Sequence, residues 1–349
     1  MEDRLSWLVF GAGALGTYIG GSLALHRQNV TFLEQPALAA QLSQLGLRLN
    51  ILGNEHALPH PPVYSDLSEA LAHGPYDIAI FALKSYDTRS ALDSLAPFSS
   101  SLPPFLCLQN GVENEPALQA VLGVNRVIAG TVTSAISRRG QGDILLERLR
   151  GMGVAAGHPL SSEMVHAFTK SGLNAHLFSN PADMKWSKML TNLLANSSSA
   201  ILDMTPAEVL SHPGLFRLEI AQLRETLAVM QAQGIHAIDL PGTPVRLLAT
   251  IVLFLPPSLS RPLISHSAGR GRGMKMPSFH IDLHSGRGKS EVDYLNGAVV
   301  RFGERYHVPT PVNRWLNQTL LELSQGALPL DEYYHQPEKL ISQLNSIQN

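Results

Sequence analysis

Six residues constrain this chain more than any others. Gly11-Ala12-Gly13-Ala14-Leu15-Gly16 follows directly on the short apolar run LSWLVF (5–10), and ALGTYIGGSLALHR continues from it with helical spacing. Three glycines in this spacing, between a strand and a helix, form the turn on which a dinucleotide pyrophosphate rests. Gly11 permits the tight turn, Gly13 lets the backbone approach the phosphates, and Gly16 allows the helix to pack close to the strand. The helix start then presents free N–H groups and a partial positive charge.

The pattern behind the turn supplies the context that a lone glycine motif lacks. NVTFLE (29–34), YDIAIFAL (76–83), PFLCLQN (104–110) and RVIAGTVTSAI (126–136) read as further strands, with helical spacing between the first of them and its neighbours. Strands that are apolar throughout belong to a parallel sheet covered on both faces. The expected fold is therefore α/β, an N-terminal Rossmann-type doubly wound parallel sheet, followed by an all-α C-terminal domain. From about Pro181 the pattern turns helical. MKWSKMLTNLLANSSSAILDM reads as one long helix, and FRLEIAQLRETLAVMQAQG (216–234), VDYLNGAVVRFGERYH and NRWLNQTLLELSQG as three more. With FSNPADM (178–184) as the joint, the domains are expected at 1–180 and 181–349. The Gly- and Arg-rich segment SAGRGRGMKMPS (267–278) reads as a loop.

Length and composition fit two domains with real cores: 349 residues, 44% hydrophobic and 15% charged. A net charge of −2 argues against a general binder of nucleic acid or anionic membranes. The most apolar stretch, from Leu247 to Pro257, is shorter than the ~20 residues that span a bilayer, so a buried helix is expected there. No signal peptide is evident, and the single cysteine, Cys107, lies in an apolar run and reads as core. A cytoplasmic location is expected.

Glu34 ends the second strand, where a carboxylate would accept from the adenosine ribose 2′-OH and repel a 2′-phosphate. It reads equally as a solvated strand-end charge. Lys188, Asn192 and Asn196 lie at i, i+4 and i+8 of the long predicted helix and so share one face. A lysine there can give a proton to a carbonyl oxygen, and the amides can hold polar groups of a substrate. By spacing alone, a solvated helix face explains them as well. Glu291 and Asp293 in GKSEVDYLNG (288–297) open an amphipathic helix, a usual place for stabilising charges. His280 and His284 form an i, i+4 pair with no third ligand apparent, so no metal site is expected.

Taken together, GAGALG, LKSYD, LQNGVEN, W-x-K-x-x-x-N-x-x-x-N, the serine of PSFHID, SEVDYLNG and VPTPVN resemble the ketopantoate reductase family over nearly the whole chain. The resemblance implies an NADP(H)-dependent reduction of 2-dehydropantoate to pantoate, in pantothenate biosynthesis. It implies Lys188 as proton donor, with Asn192, Asn196 and Ser278 on the substrate. It sets Glu291 near both the cofactor and Lys188, and Lys84 and Asn110 at strand ends against the cofactor, Asn110 also facing the substrate. With the Gly11–Gly16 turn and Glu34 these make up the expected site. A small-molecule 2-oxo acid is the expected partner, and a homodimer the expected assembly. Two departures bear on specificity. The arginine that NADP-using members carry after the second strand is absent from Leu33-Glu34-Gln35, which opens the site to NAD(H). The stretch 241–277 is longer and more apolar than in compact members, and it precedes Ser278. Another 2-oxo acid or an imine as substrate, or a non-catalytic cofactor-binding protein, are the alternatives.

Overall fold

The structure is a computed structural model that describes residues 4–272 and 275–348. Its twelve strands are β1 (Ser6–Phe10), β2 (Asn29–Leu33), β3 (Leu47–Ile51), β4 (Asn54–Leu58), β5 (Val63–Tyr64), β6 (Ile78–Phe81), β7 (Phe105–Cys107), β8 (Val127–Val132), β9 (Ala135–Gly140), β10 (Asp143–Arg148), β11 (Met152–Ala155) and β12 (Ala175–Phe178). Contacts divide the chain into two compact units. The first runs to Lys185 and takes in Leu240–Thr243; the second holds Trp186–Asp239 and resumes at Pro244. The division falls inside the helix Pro181–Leu193, past the joint that Pro181 marks in the sequence.

In the first unit an eight-stranded sheet has the order β12-β11-β8-β7-β6-β1-β2-β5. All pairings from β5 to β8 are parallel, and β11 turns antiparallel against β8. The chain leaves β1 for β2 on one side and returns to β6 on the other, so strand order reverses at β1. In doubly wound sheets, ligands bind outside the strand C-terminal ends at such a reversal.

Residues on both faces of β1, β6 and β7 are buried, which explains why these strands show no alternation. Leu8, Phe10, Ala79, Phe81, Phe105 and Cys107 form one core layer. Trp7, Val9, Ile78, Ile80 and Leu106, all fully buried, face the other way, and Trp7 packs against Phe168 with ring centroids 5.0 Å apart and planes tilted by 40°. Burial raises the Cys107 thiol far above its ordinary range, so it is a core residue and not a nucleophile.

One reading of the first unit needs correction. The expected single strand 126–136 is two strands in different sheets, with β9 in a four-stranded sheet of order β4-β3-β10-β9. The chain bends between them because the Thr133 hydroxyl donates to the carbonyls of Gly151 (3.0 Å) and Pro241 (2.8 Å). That small sheet carries no comparable sequence signal: polar and charged residues are mixed among its apolar ones, and β4 is largely exposed.

The second unit is mostly helical. The glycine–arginine run continues the helix Pro257–Arg272 instead of forming a loop up to Ser278. Residues 273 and 274 lie outside the described part. The apolar stretch after Leu247 forms the helix Val245–Phe254, and it is only partly buried, with Leu247, Leu253 and Phe254 exposed. No described helix is long and apolar enough to cross a membrane.

Candidate active site

The glycine turn has the shape its sequence predicts. Gly11 takes φ +89°, a left-handed conformation suited to glycine, and its N–H donates to the Leu33 carbonyl at 3.0 Å. A Cβ on Gly16 would run into the Gly11 carbonyl oxygen. Gly13 caps the helix Ala14–Leu25 without any side-chain hydrogen bond, and the space beside its Cα is open to 4 Å. An uncapped helix start facing open space makes a backbone cradle over Gly13, Ala14 and Leu15 of the kind that suits an anionic pyrophosphate.

Glu34 is not a solvated strand end. Its carboxylate accepts from the Ala12 N–H at 2.5 Å and from the Gln35 N–H at 3.0 Å. That sets a negative charge at the rim of the cradle.

Two loops leave the C-terminal ends of the neighbouring strands β6 and β7 and carry Lys84 and Asn110. A buried polar network joins them. Gln109 Nε2 donates to the Leu83 carbonyl (3.1 Å) and to Thr88 Oγ1 (2.8 Å). Asn114 Nδ2 donates to the Asn110 carbonyl (2.7 Å) and to Ser85 Oγ (3.2 Å), and the Ser85 hydroxyl reaches the same carbonyl at 3.0 Å. The network holds the two loops in register beside the cradle.

Lys185 completes this network, and the sequence did not single it out. It is buried, its ammonium lies 2.7 Å from the buried carboxylate of Glu115, and it donates to the Gln109 carbonyl at 2.6 Å. Burial pulls its pKa down, but the facing Glu115 carboxylate more than reverses this, so the ammonium stands above the ordinary lysine value. In the sequence Lys185 looks like any helix lysine. Its position three residues before Lys188 makes the two lysines neighbours on the helix surface, so spacing alone gives no hint of a separate role.

The Lys188 helix is buried nearly all round. From Asp183 to Ala195 every side chain is buried except those of Lys188, Thr191 and Asn192, which are half-buried on one face. Trp186 packs edge-on against Phe302 at 5.3 Å between centroids. This seats the helix on Val292–Arg305, the helix that Glu291 begins.

Asn196 does not lie on the same helix as Lys188 and Asn192, contrary to the expectation. The helix ends at Leu193, Ala195 takes φ +54°, and Asn196 caps a new helix, Ser197–Leu202. The break is held by Glu219, fully buried, which accepts from the Ala195 N–H at 2.6 Å and from the side chains of Ser198 and Gln222. Glu219→Ala would leave that buried N–H without a partner, at an expected cost of about 1–3 kcal/mol in stability, read as a lower urea midpoint of unfolding.

The break also explains what Asn196 does. Its amide donates to the Asn192 carbonyl (2.9 Å) and to Ser278 Oγ (3.4 Å), and its oxygen accepts from the Phe279 N–H (3.1 Å). The structure thus brings Asn192, Asn196 and Ser278 together. Glu291 is buried at the N-cap of its helix. The adjacent Asp293 is a surface partner, 3.0 Å from Arg301.

Comparison with known proteins bears on this arrangement. The family described as Ketopantoate reductase PanE/ApbA matches residues 7–156, and its C-terminal part matches residues 180–324. The chain belongs to the ketopantoate reductase family. Relatives named 2-dehydropantoate 2-reductase include that of Halobacterium salinarum, 26% identical over 91% of this chain and 98% of its own length. That of Archaeoglobus fulgidus is 27% identical over 91% and 96%. Among solved structures, a PanE/ApbA family ketopantoate reductase from Ralstonia eutropha superposes with a TM-score of 0.77 at 25% identity, over 92% of this chain and 99% of that one. A D-mandelate dehydrogenase solved with NADH and anilino(oxo)acetate shares the fold, with a TM-score of 0.75 at 21% identity over 92% and 98%. The chain is thus a member of a nicotinamide-dependent reductase family, and its uncapped glycine turn suits that cofactor class.

Proposed function

We propose that this protein reduces the C2 carbonyl of a 2-oxo acid to the 2-hydroxy acid, with 2-dehydropantoate as substrate and Lys188 as proton donor. One observation carries the reading: from Asp183 to Ala195 only Lys188, Thr191 and Asn192 stay half-buried, on one face, and the next asparagine, Asn196, is tied to Ser278. A reduced nicotinamide, when bound, supplies a hydride to C2. Lys188 gives the proton that the developing alkoxide needs, its Nζ passing from ammonium to neutral amine before solvent restores it. Glu291, buried at the start of its helix, sets the position of that ammonium. Asn192 and Ser278 hold the carboxylate and hydroxyl of the acid, and Asn196 holds Asn192 and Ser278. Lys84 and Asn110 contact the cofactor from the ends of β6 and β7.

For the cofactor, the reading is that NADH serves at least as well as NADPH. The Glu34 carboxylate at the rim of the cradle accepts a ribose hydroxyl and repels a 2′-phosphate. Glu34→Gln is expected to move the ratio of kcat/KM for NADPH over NADH about tenfold towards NADPH, or ~1.4 kcal/mol. An unchanged ratio would remove Glu34 from the account.

The deciding assay is reduction of 2-dehydropantoate with each cofactor, run beside a panel of other 2-oxo acids. A second reading, a bulkier 2-oxo acid, draws on one feature: the helices Val245–Phe254 and Pro257–Arg272, which lead into Ser278. In that case the panel gives a higher kcat/KM for an aromatic or branched acid than for 2-dehydropantoate. If no 2-oxo acid is reduced with either cofactor, the proposed reaction is wrong.

A further inference from the structure

In the second unit three metal-ligating side chains meet. Asp203, His280 and His284 each offer a ligand atom, and these atoms lie within 4.8 Å of one another. His280 Nε2 is 2.6 Å from Asp203 Oδ1, and the two imidazole rings stand 4.2 Å apart between centroids. The pair His280 and His284 was legible in the sequence, but its third ligand was not: Asp203 lies far back in the chain and reaches the histidines only in the fold.

We infer that Asp203, His280 and His284 form a binding site for a divalent transition-metal ion of the zinc type. The donor set selects the class. Imidazole nitrogens suit zinc, copper, nickel or iron, whereas magnesium and calcium take oxygen ligands. Two nitrogens and one carboxylate oxygen are the three protein ligands of an open tetrahedral zinc site, with water in the fourth position. In such a site bonds of ~2.0–2.2 Å set the ligand atoms roughly 3.3 Å apart. The ion would replace the hydrogen bond between His280 and Asp203, which opens from 2.6 Å, and His284, whose side chain is exposed, turns inward.

The backbone puts each ligand where it is needed. His280 and His284 occupy one face of the helix Ser278–Leu283 and its C-cap. Asp203 is the left-handed C-cap of Ser197–Leu202, at φ 51°. These two short helices are already joined at their starts, where Asn196 accepts from the Phe279 N–H. A metal ion would join them a second time at their far ends, and would make the hold on Ser278 rigid. The site itself does not depend on the proposed reaction, because its test reads binding and not turnover.

The test uses the full chain without an affinity tag, stripped with a chelator and titrated with Zn²⁺ by calorimetry and with Co²⁺ by visible absorption. The expected result is one equivalent of Zn²⁺, a four-coordinate Co²⁺ spectrum, and a rise in Tm at saturating Zn²⁺. His284→Ala and Asp203→Asn should each weaken binding by more than the ~100-fold that loss of an outer-shell partner costs. Both variants spare the fold, since His284 is exposed and asparagine adopts the left-handed conformation readily. His56→Ala, in β4, should leave binding unchanged. The proposal is overturned if no stoichiometric Zn²⁺ is taken up, or if uptake persists at full affinity in His284→Ala and Asp203→Asn.

Discussion

Lys188→Ala is expected to lower kcat for 2-oxo acid reduction at least about 100-fold, a loss of ~2.7 kcal/mol or more in transition-state stabilisation. Cofactor affinity, followed by quenching of protein fluorescence, should stay within about threefold, because the cradle at Gly11–Gly16 belongs to a separate part of the chain. Lys188→Arg sharpens the test. Arginine keeps the positive charge but does not release a proton in this pH range. If charge alone stabilised the alkoxide, Lys188→Arg would recover most of the rate. With Lys188 as the proton donor, it recovers little. Near-normal turnover in Lys188→Ala would end the assignment.

The second large effect concerns stability. Lys185→Met removes one partner of the buried pair with Glu115 and leaves a carboxylate without its counter-charge in the core. The expected cost is about 3–5 kcal/mol, read as a fall in the urea midpoint of the first unit. The double variant Lys185→Met with Glu115→Leu should recover most of that loss, since a well-packed apolar pair often equals a buried ion pair. A single variant as stable as the wild type would mean that the pair is not desolvated in solution. The pH dependence has a definite sign. The folded pKa of Lys185 is raised, so its contribution is complete below the unfolded lysine value of about 10.4 and fades only as pH climbs through the higher folded value. Between pH 6 and 9, on the order of the assay range, no loss from this group is expected.

Lys185 and Lys188 also mark how far the sequence could be read. They lie three residues apart on one helix, with the same side chain and similar local context. One is buried against Glu115 and braces the Gln109–Asn110 loop; the other faces partly outward with Asn192. Helical spacing makes them neighbours on the helix surface, and nothing local says what each one packs against. The same limit applies to Asn196. The i, i+4, i+8 spacing was correct for a continuous helix, and the helix is not continuous. Its break is held by Glu219, a carboxylate on another helix and 24 residues away from Ala195. Local propensity does not oppose a helix through Leu194–Asn196, so the break is a tertiary effect.

The central strands β1, β2, β6, β7 and β8 were legible for a different reason. A strand buried on both faces must be apolar throughout, and that pattern survives in a single sequence. β9 and β10 carry charged and polar residues among the apolar ones and pair outside the main sheet, so their signal was weak.

The glycine turn shows the division most clearly. Its conformation was determined by the sequence, because a φ of +89° at Gly11 and a helix packed against the Gly11 carbonyl at Gly16 exclude other residues on steric grounds alone. The charge at its rim was decided by the tertiary structure. Glu34 comes to the Ala12 N–H only because β2 pairs in parallel with β1, and Leu33 accepts from Gly11 in the same register. Asp203 and the two histidines follow the same rule. A steric requirement acts within a few residues and can be read along the chain. A hydrogen bond or a ligand set that joins distant residues exists only once strands have paired and helices have packed.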